Sequence, residues 1–469
     1  MNKRAVVIGL ELALGLLILG ISCVCPCPEG LTRQGVKYIG VLLCMLYFLI
    51  VNICSEYIVV MFTLAACVFL KVESFQGIFS AFSNTTVWLL IGVLPFGVAI
   101  SRSGLMKRVA LYVLKLFPGT YQGQLLALSV AGIVISPMIP SITAKASILA
   151  PFAVNVAEEM GFEKKSRGMM GLFMAVYLMG AVSGHVFYSG SMNVFIMLGL
   201  LPQEMQGMFT WGSWLAATFL WGLCIYILGF LAMHIFYRPE KRKPMSPDYI
   251  PNKIKEMGPM SPEEKKVAVV LAVTLLGWVT KSVHGVSEAA IALAAYFLLT
   301  LMGMTKKQEF RGNVAWDMII FIGGLMCMAT MMTDLGVDVW MAELLSAYIA
   351  PMLTNEYIFV ISLSLLVAVS RYFVVSAISA VSLFYIVFAG PAQAAGISPW
   401  VTAFVITTIG QLWSTEYNST TYLTSVAVVG EDALDFKQAV KMSHAYVVIS
   451  IIGFVISIPL WKHLGYIRM

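Results

Sequence analysis

Long apolar runs separated by short polar turns recur from one end of the chain to the other. Runs near 5–23, 37–53, 56–72, 86–101, 168–188, 212–236, 266–282, 286–303, 315–333, 400–414 and 444–461 each predict a membrane-crossing helix. Two further apolar pairs, 124–157 and 356–390, read differently. The first is cut at Pro137, Pro140 and Pro151, the second at Arg371 and at Ser376 to Ser379. Each predicts a hairpin that enters the bilayer and returns on the same side. The expected fold is an all-α polytopic membrane protein with about eleven spans and two re-entrant hairpins.

The pattern repeats. Each half has an apolar span with a glycine in it, an amphipathic stretch, a broken apolar pair, and an interrupted span carrying an asparagine. The spacing that carries Gly92 onto Gly324 also carries Gly104 onto Gly336, and a slightly shorter one carries Asn193 onto Asn418. Broken spans at matching positions in two halves are what a secondary transporter needs at its binding site. The expected parts are scaffold helices at 1–80, a first transport unit at 81–208, scaffold with a polar loop at 209–312, a second transport unit at 313–430, and a last helix at 431–469.

Composition agrees: 59% of the residues are hydrophobic and 12% charged, too few polar groups to cover a soluble surface. The net charge of +6 is spread in short clusters that suit membrane topology rather than nucleic-acid binding. Lys3 and Arg4 put the N-terminus in the cytoplasm, and residues 5–22 read as a retained first helix, since no small-residue cleavage site follows. Arg102 to Lys115, Lys164 to Arg167, the loop 238–266, and Lys306 to Arg311 also read as cytoplasmic. From Gly312 to Phe436 the one basic residue is Arg371, so the second hairpin opens outside and the two repeats are inverted. Parity then puts the C-terminus outside. Cys23, Cys25 and Cys27 read as membrane-edge thiols, because they lack the two-residue gap of a metal site.

Candidate chemistry sits at the breaks. A hairpin turning at mid-membrane leaves amides that attract an anion and carbonyls that attract a cation. The first tip carries Ser141, Ile142 and Thr143, with Lys145 beside them. The second carries Arg371, then Ser376, Ala377 and Ser379. A fixed guanidinium suits a carboxylate, although Arg371 also has acidic partners to choose from, Glu416 among them. The interrupted spans add Gly184, His185 and Asn193, then Thr415, Glu416, Asn418, Ser419 and Thr420. Ser141, Gly184, His185, Ser376, Thr415 and Glu416 are candidate ligands for a coupling ion. No catalytic pair or metal-ligand run points to an enzyme, and no cofactor is expected beyond sodium as a coupling ion.

At these residues the chain resembles the divalent anion/sodium symporter family, which includes di- and tricarboxylate carriers and bacterial anion permeases. The resemblance runs from about residue 40 to residue 460. It is clearest in Val87-Trp88-Leu89-Leu90, in Ser103-Gly104-Leu105, and in Ser141, Thr143 and Ala144 followed by Pro151. It implies two inverted repeats, each with a hairpin tipped by Ser-Asn-Thr and an unwound helix ending in Pro-Pro-Asn. It also implies a homodimer and an elevator movement. The tips map to Ser141, Ile142 and Thr143 and to Ser376, Ala377 and Ile378; the helix asparagines map to Asn193 and Asn418. Both tip asparagines, which in the family help to hold sodium and the substrate carboxylate, are replaced here by Ile142 and Ala377. Lys145 is similar to the basic residue that follows the tip in the citrate and plant dicarboxylate exchanger branch.

The expected function is secondary transport of organic anions, di- or tricarboxylates first, across the inner (cytoplasmic) membrane, as symporter or exchanger. A transporter-derived sensor, or a carrier of another solute such as sulfate or an amino acid derivative, is the alternative. The expected partners are a small organic anion, the lipid bilayer and a second copy of the chain, with no nucleic acid.

Overall fold

The structure is a computed structural model describing residues 3–240, 243–312, 314–374, 376–416 and 419–468, and among these it is all helical. Leading helices α1 (Lys3–Val24), α2 (Arg33–Val51) and α3 (Glu56–Phe69) open the chain. The first half continues with α4 (Thr85–Arg102) and α5 (Leu105–Lys115), then a hairpin of α6 (Tyr121–Ile135) and α7 (Ile142–Glu159). A broken helix follows, α8 (Arg167–Val176) and α9 (Met192–Leu200), and then the long α10 (Trp211–Phe236). After α11 (Pro262–Val279) and α12 (Glu288–Leu301) the order recurs. The second half has α13 (Trp316–Asp334), α14 (Val337–Leu353), a hairpin of α15 (Glu356–Ser370) and α16 (Ala377–Ala394), a broken helix α17 (Pro399–Ile409) and α18 (Thr420–Val429), and α19 (Phe436–His463).

Among the described residues, eight helices are long and apolar enough to cross a membrane, with shorter apolar helices between them. Their starts are chemically marked. Thr32, Asn84, Thr120, Ser166, Thr210, Ser261 and Ser287 each accept a hydrogen bond from an amide of the first turn. Such caps matter most where water cannot satisfy the free amides.

The repeat seen in the sequence is a repeat of contacts. In the first half α6 and α7 pack on α8; in the second, α15 and α16 pack on α17. Helix α4 packs on α12, and α13 packs on α3, so each half's first span rests on the leading helix of the other. Gly104 and Gly336 explain their matched spacing. Both lie in the left-handed region, at φ 83° and φ 65°, and turn the chain from a span into the amphipathic helix behind it. Helices α10 and α19 form a long pair, stitched where Trp461 Nε1 donates to the Ala217 carbonyl at 2.9 Å.

One polar contact anchors α5 to the start of α11. Arg108 donates from Nε and Nη2 to both oxygens of Glu264, each at 2.9 Å, and from Nη1 to the Gly258 carbonyl at 2.9 Å. Both side chains are buried. Removing one partner leaves a buried charge uncompensated, so Glu264→Ala is expected to cost about 3–5 kcal/mol. Thermal unfolding of the purified variant checks this, and an unchanged midpoint would contradict it.

Candidate functional site

Four helices begin at one place. Helix α7 starts after Ser141, whose hydroxyl accepts from the Ala144 amide at 3.2 Å. Helix α9 starts after Ser191, which accepts from the Asn193 amide at 3.1 Å. Helix α16 starts after Ser376, which accepts from the Ser379 amide at 3.2 Å. Helix α18 starts after Ser419. Two come from hairpin tips and two from the far sides of the broken helices.

The local sequence explains each break. Pro137 and Pro140 end α6 in a short 3₁₀ turn, and Ile139 and Ser141 are extended before α7 begins. The second tip has no proline. There α15 stops at Arg371, and Ser376 restarts the helix. The first broken helix loosens through a π-type turn at Tyr177–Ala181 and a 3₁₀ turn at Val182–Val186 before Ser191 restarts it.

These starts wall one cavity of about 520 Å³. The first half contributes Ser141, Ile142, Thr143, Ser191, Met192 and Asn193. The second contributes Ser376, Ala377, Ile378, Gln411, Thr420 and Thr421. Met318 and the turn between α2 and α3, with Leu49, Asn52 and Glu56, close the other side. No lysine or arginine lines this wall among the described residues; Glu56 is the one charged side chain on it. Each helix N-terminus carries roughly half a positive charge, so the four starts favour an anion without a basic side chain on the wall.

The two cations expected against an anion lie one layer behind it. Lys145 is fully buried and donates from Nζ to Ser136 Oγ at 2.9 Å and to the Gly190 carbonyl at 2.6 Å, with the Ser136 carbonyl at 3.5 Å. Arg371, also buried, donates from Nε to the Gly410 carbonyl at 3.0 Å and from Nη1 to the Val374 carbonyl. In both halves a cation from the hairpin holds a carbonyl freed where a helix breaks. Gly410 ends α17, so Arg371 sits at the negative end of that helix. The physical reason is local: a helix break frees carbonyls within side-chain reach, and a cation out of water takes them first.

The other predicted residues divide in the same way. Ser141, Ile142, Thr143, Asn193, Ser376, Ala377 and Thr420 line the cavity. Ser379 sits a turn back, its hydroxyl 3.5 Å from the Leu49 carbonyl, and Ser419 donates to the Thr415 carbonyl at 2.6 Å. Gly184 and His185 are buried near Lys145 rather than on the wall; His185 Nδ1 is 3.1 Å from the Val182 carbonyl. Thr415 Oγ1 is buried without a partner among the described residues, and Glu416 is exposed. Asn418 lies outside the described residues. Sequence reasoning passed over Asn52 and Glu56. The available signal was that Glu56 is the one carboxylate between Glu29 and Glu73, in a turn between two apolar runs.

The family described as the sodium:sulfate symporter transmembrane region matches residues 9–467. The chain belongs to this family, the divalent anion/sodium symporters. Its members are membrane transporters and not enzymes, and the chain is a membrane anion transporter. Among its relatives is the inner membrane protein YbhI of Escherichia coli (strain K12), 25% identical over 405 residues, or 83% of this chain and 85% of that protein. Another is the chloroplastic dicarboxylate transporter 1 of Spinacia oleracea, 25% identical over 394 residues, or 82% of this chain and 69% of that protein. The crystal structure of the Alcanivorax borkumensis YdaH transporter is similar in fold, with a TM-score of 0.53 at 14% identity, covering 83% of this chain and 88% of that one.

Proposed function

We propose that this symporter-family chain carries di- or tricarboxylates across the cytoplasmic membrane by exchange, as a homodimer whose hairpin-bearing units move against the scaffold. The observation that carries the reading is the convergence of four helix N-termini on one cavity. Two of the four come from each inverted half, which suits an anion with a charged group at each end better than a single compact anion such as sulfate.

Exchange is favoured by Lys145. Its ammonium lies among three oxygens of the first hairpin and first broken helix, Ser136 Oγ, the Ser136 carbonyl and the Gly190 carbonyl. That is the kind of oxygen nest in which unwound backbone holds a sodium ion. A covalently attached cation there makes a transported one unnecessary. One observation favours a sodium-coupled variant. Ser414 Oγ and Thr415 Oγ1 in the second break are buried and have no partner among the described residues.

The cavity reads as open to the cytoplasm. Met318 on its wall follows the basic stretch Lys306 to Arg311, and a second cleft of about 470 Å³ leads from Arg102 past Gly97 to Ser141.

Thermal stabilisation of the purified protein by a panel of di- and tricarboxylates, with and without sodium, tests the reading. A ligand present at about a hundred times its dissociation constant stabilises by roughly 2.7 kcal/mol. Stabilisation by a carboxylate independent of sodium is expected. Stabilisation only with sodium would make the carrier a symporter, and none from any carboxylate would remove the carboxylate reading.

A further inference from the structure

The second hairpin tip is already holding a carboxylate. The Ser376 hydroxyl, at the start of α16, donates to Glu56 Oε1 at 3.2 Å. Glu56 opens α3 and belongs to the part assigned above to the scaffold, whereas Ser376 belongs to the unit assigned to movement. A second contact joins the same two parts, Ser379 Oγ to the Leu49 carbonyl at 3.5 Å. Glu56 reaches into the cavity wall as its one charged side chain among the described residues.

The first tip is different. Ser141, its counterpart, caps α7 on the same cavity, and among the described residues its hydroxyl makes no hydrogen bond to α2 or α3, nor to α11 or α12, their counterparts in the other half. The asymmetry needs a reason. A carboxylate beside the N-terminus of an 18-residue helix is well placed electrostatically, and it stands where an anionic ligand of that helix would stand.

We propose that Glu56 is a built-in competitor for the substrate carboxylate, latching the second tip to the scaffold whenever the cavity is empty. The proposal rests on the anion-site reading above. An incoming carboxylate takes the Ser376 hydroxyl and the α16 amides, and like charge drives Glu56 away. Losing that contact frees the moving unit. An empty carrier stays latched and cannot return, so Glu56 makes exchange obligatory and lowers affinity for the anion. This is a difference in ligand affinity between two arrangements, which is what a shift in their populations requires.

The test uses full-length protein with Glu56→Gln and Glu56→Ala. Glu56 is half-buried at a helix start, so both variants are expected to fold. Malate binding to purified protein is measured first, then efflux of malate from proteoliposomes into medium with and without external malate. Removing the competing charge is expected to tighten malate binding roughly tenfold. Efflux into malate-free medium is expected to rise at least about tenfold relative to exchange. Unchanged or weaker binding, with efflux still requiring external malate, would overturn the latch. If wild type and both variants bind no carboxylate, the anion-site reading fails and the latch falls with it. That result is distinct, because a failed latch alone leaves wild-type binding intact.

Discussion

Lys145→Ala is expected to abolish sodium-independent transport, with a fall of roughly a hundredfold, the scale on which a working site responds to ångström displacements. The substitution acts without touching the cavity wall. It removes a buried ammonium from Ser136 Oγ, the Ser136 carbonyl and the Gly190 carbonyl. Each buried acceptor left unpaired costs about 1–3 kcal/mol. The loss falls on the contact that fixes α9 against the first hairpin, so two of the four N-termini lose their alignment. The vacated space is lined by oxygen atoms and excludes lipid, the setting in which unwound carbonyls hold sodium in other carriers. Sodium is therefore expected to restore part of the transport in Lys145→Ala and to do nothing for the wild type. Uptake into proteoliposomes in sodium and in choline buffer decides this. Full activity without sodium in the variant would contradict the role given to Lys145.

Gly184→Ala is expected to be nearly as damaging, for a steric reason. A Cβ on Gly184 would lie 2.5 Å from the Gly190 carbonyl oxygen and 2.7 Å from Lys145 Nζ. The backbone at Gly190 is equally close from the other side, since a Cβ there would strike the Gly184 carbonyl oxygen. Here backbone meets backbone, so displacing the Lys145 ammonium would not relieve the clash with the Gly190 carbonyl. Overpacking of an ordinary core costs about 1–3 kcal/mol. The cost here is expected at or above the upper end, with transport lost as Lys145 is displaced. Gly207→Ala is the control, because its nearest neighbour would be the Glu204 carbonyl oxygen at 4.0 Å. Thermal unfolding and exchange activity of the two variants are the readout. A Gly184→Ala protein with wild-type stability and exchange would show that the close approach is not required.

The fold was legible in the sequence because a bilayer leaves few choices. Apolar runs near 86–101 and 315–333 became α4 and α13, and the proline-cut pair at 124–157 became α6 and α7. The matched glycines Gly104 and Gly336 marked the same turn twice, since only a positive φ joins those helices that way. The candidate cavity was legible at the tips, where Ser141 and Ser376 cap helices that begin in the middle of an apolar pair. It was not legible where three-dimensional reach decides. Lys145 and Arg371 looked like anion partners, because charge at depth usually is functional. The structure gives them carbonyls of distant breaks, at Gly190 and Gly410, and sequence spacing does not report that distance. Glu56 lies more than three hundred residues before its partner Ser376, so no local pattern could join them.

The proposed carrier binds a carboxylate at four helix N-termini and works by exchange. Uptake of labelled malate into purified proteoliposomes, either empty or preloaded with malate and in sodium-free buffer, tests it most directly. Rapid uptake into loaded vesicles and little into empty ones is expected. Equal uptake into both would contradict exchange, and no uptake into either, with none restored by sodium, would contradict the carboxylate site itself.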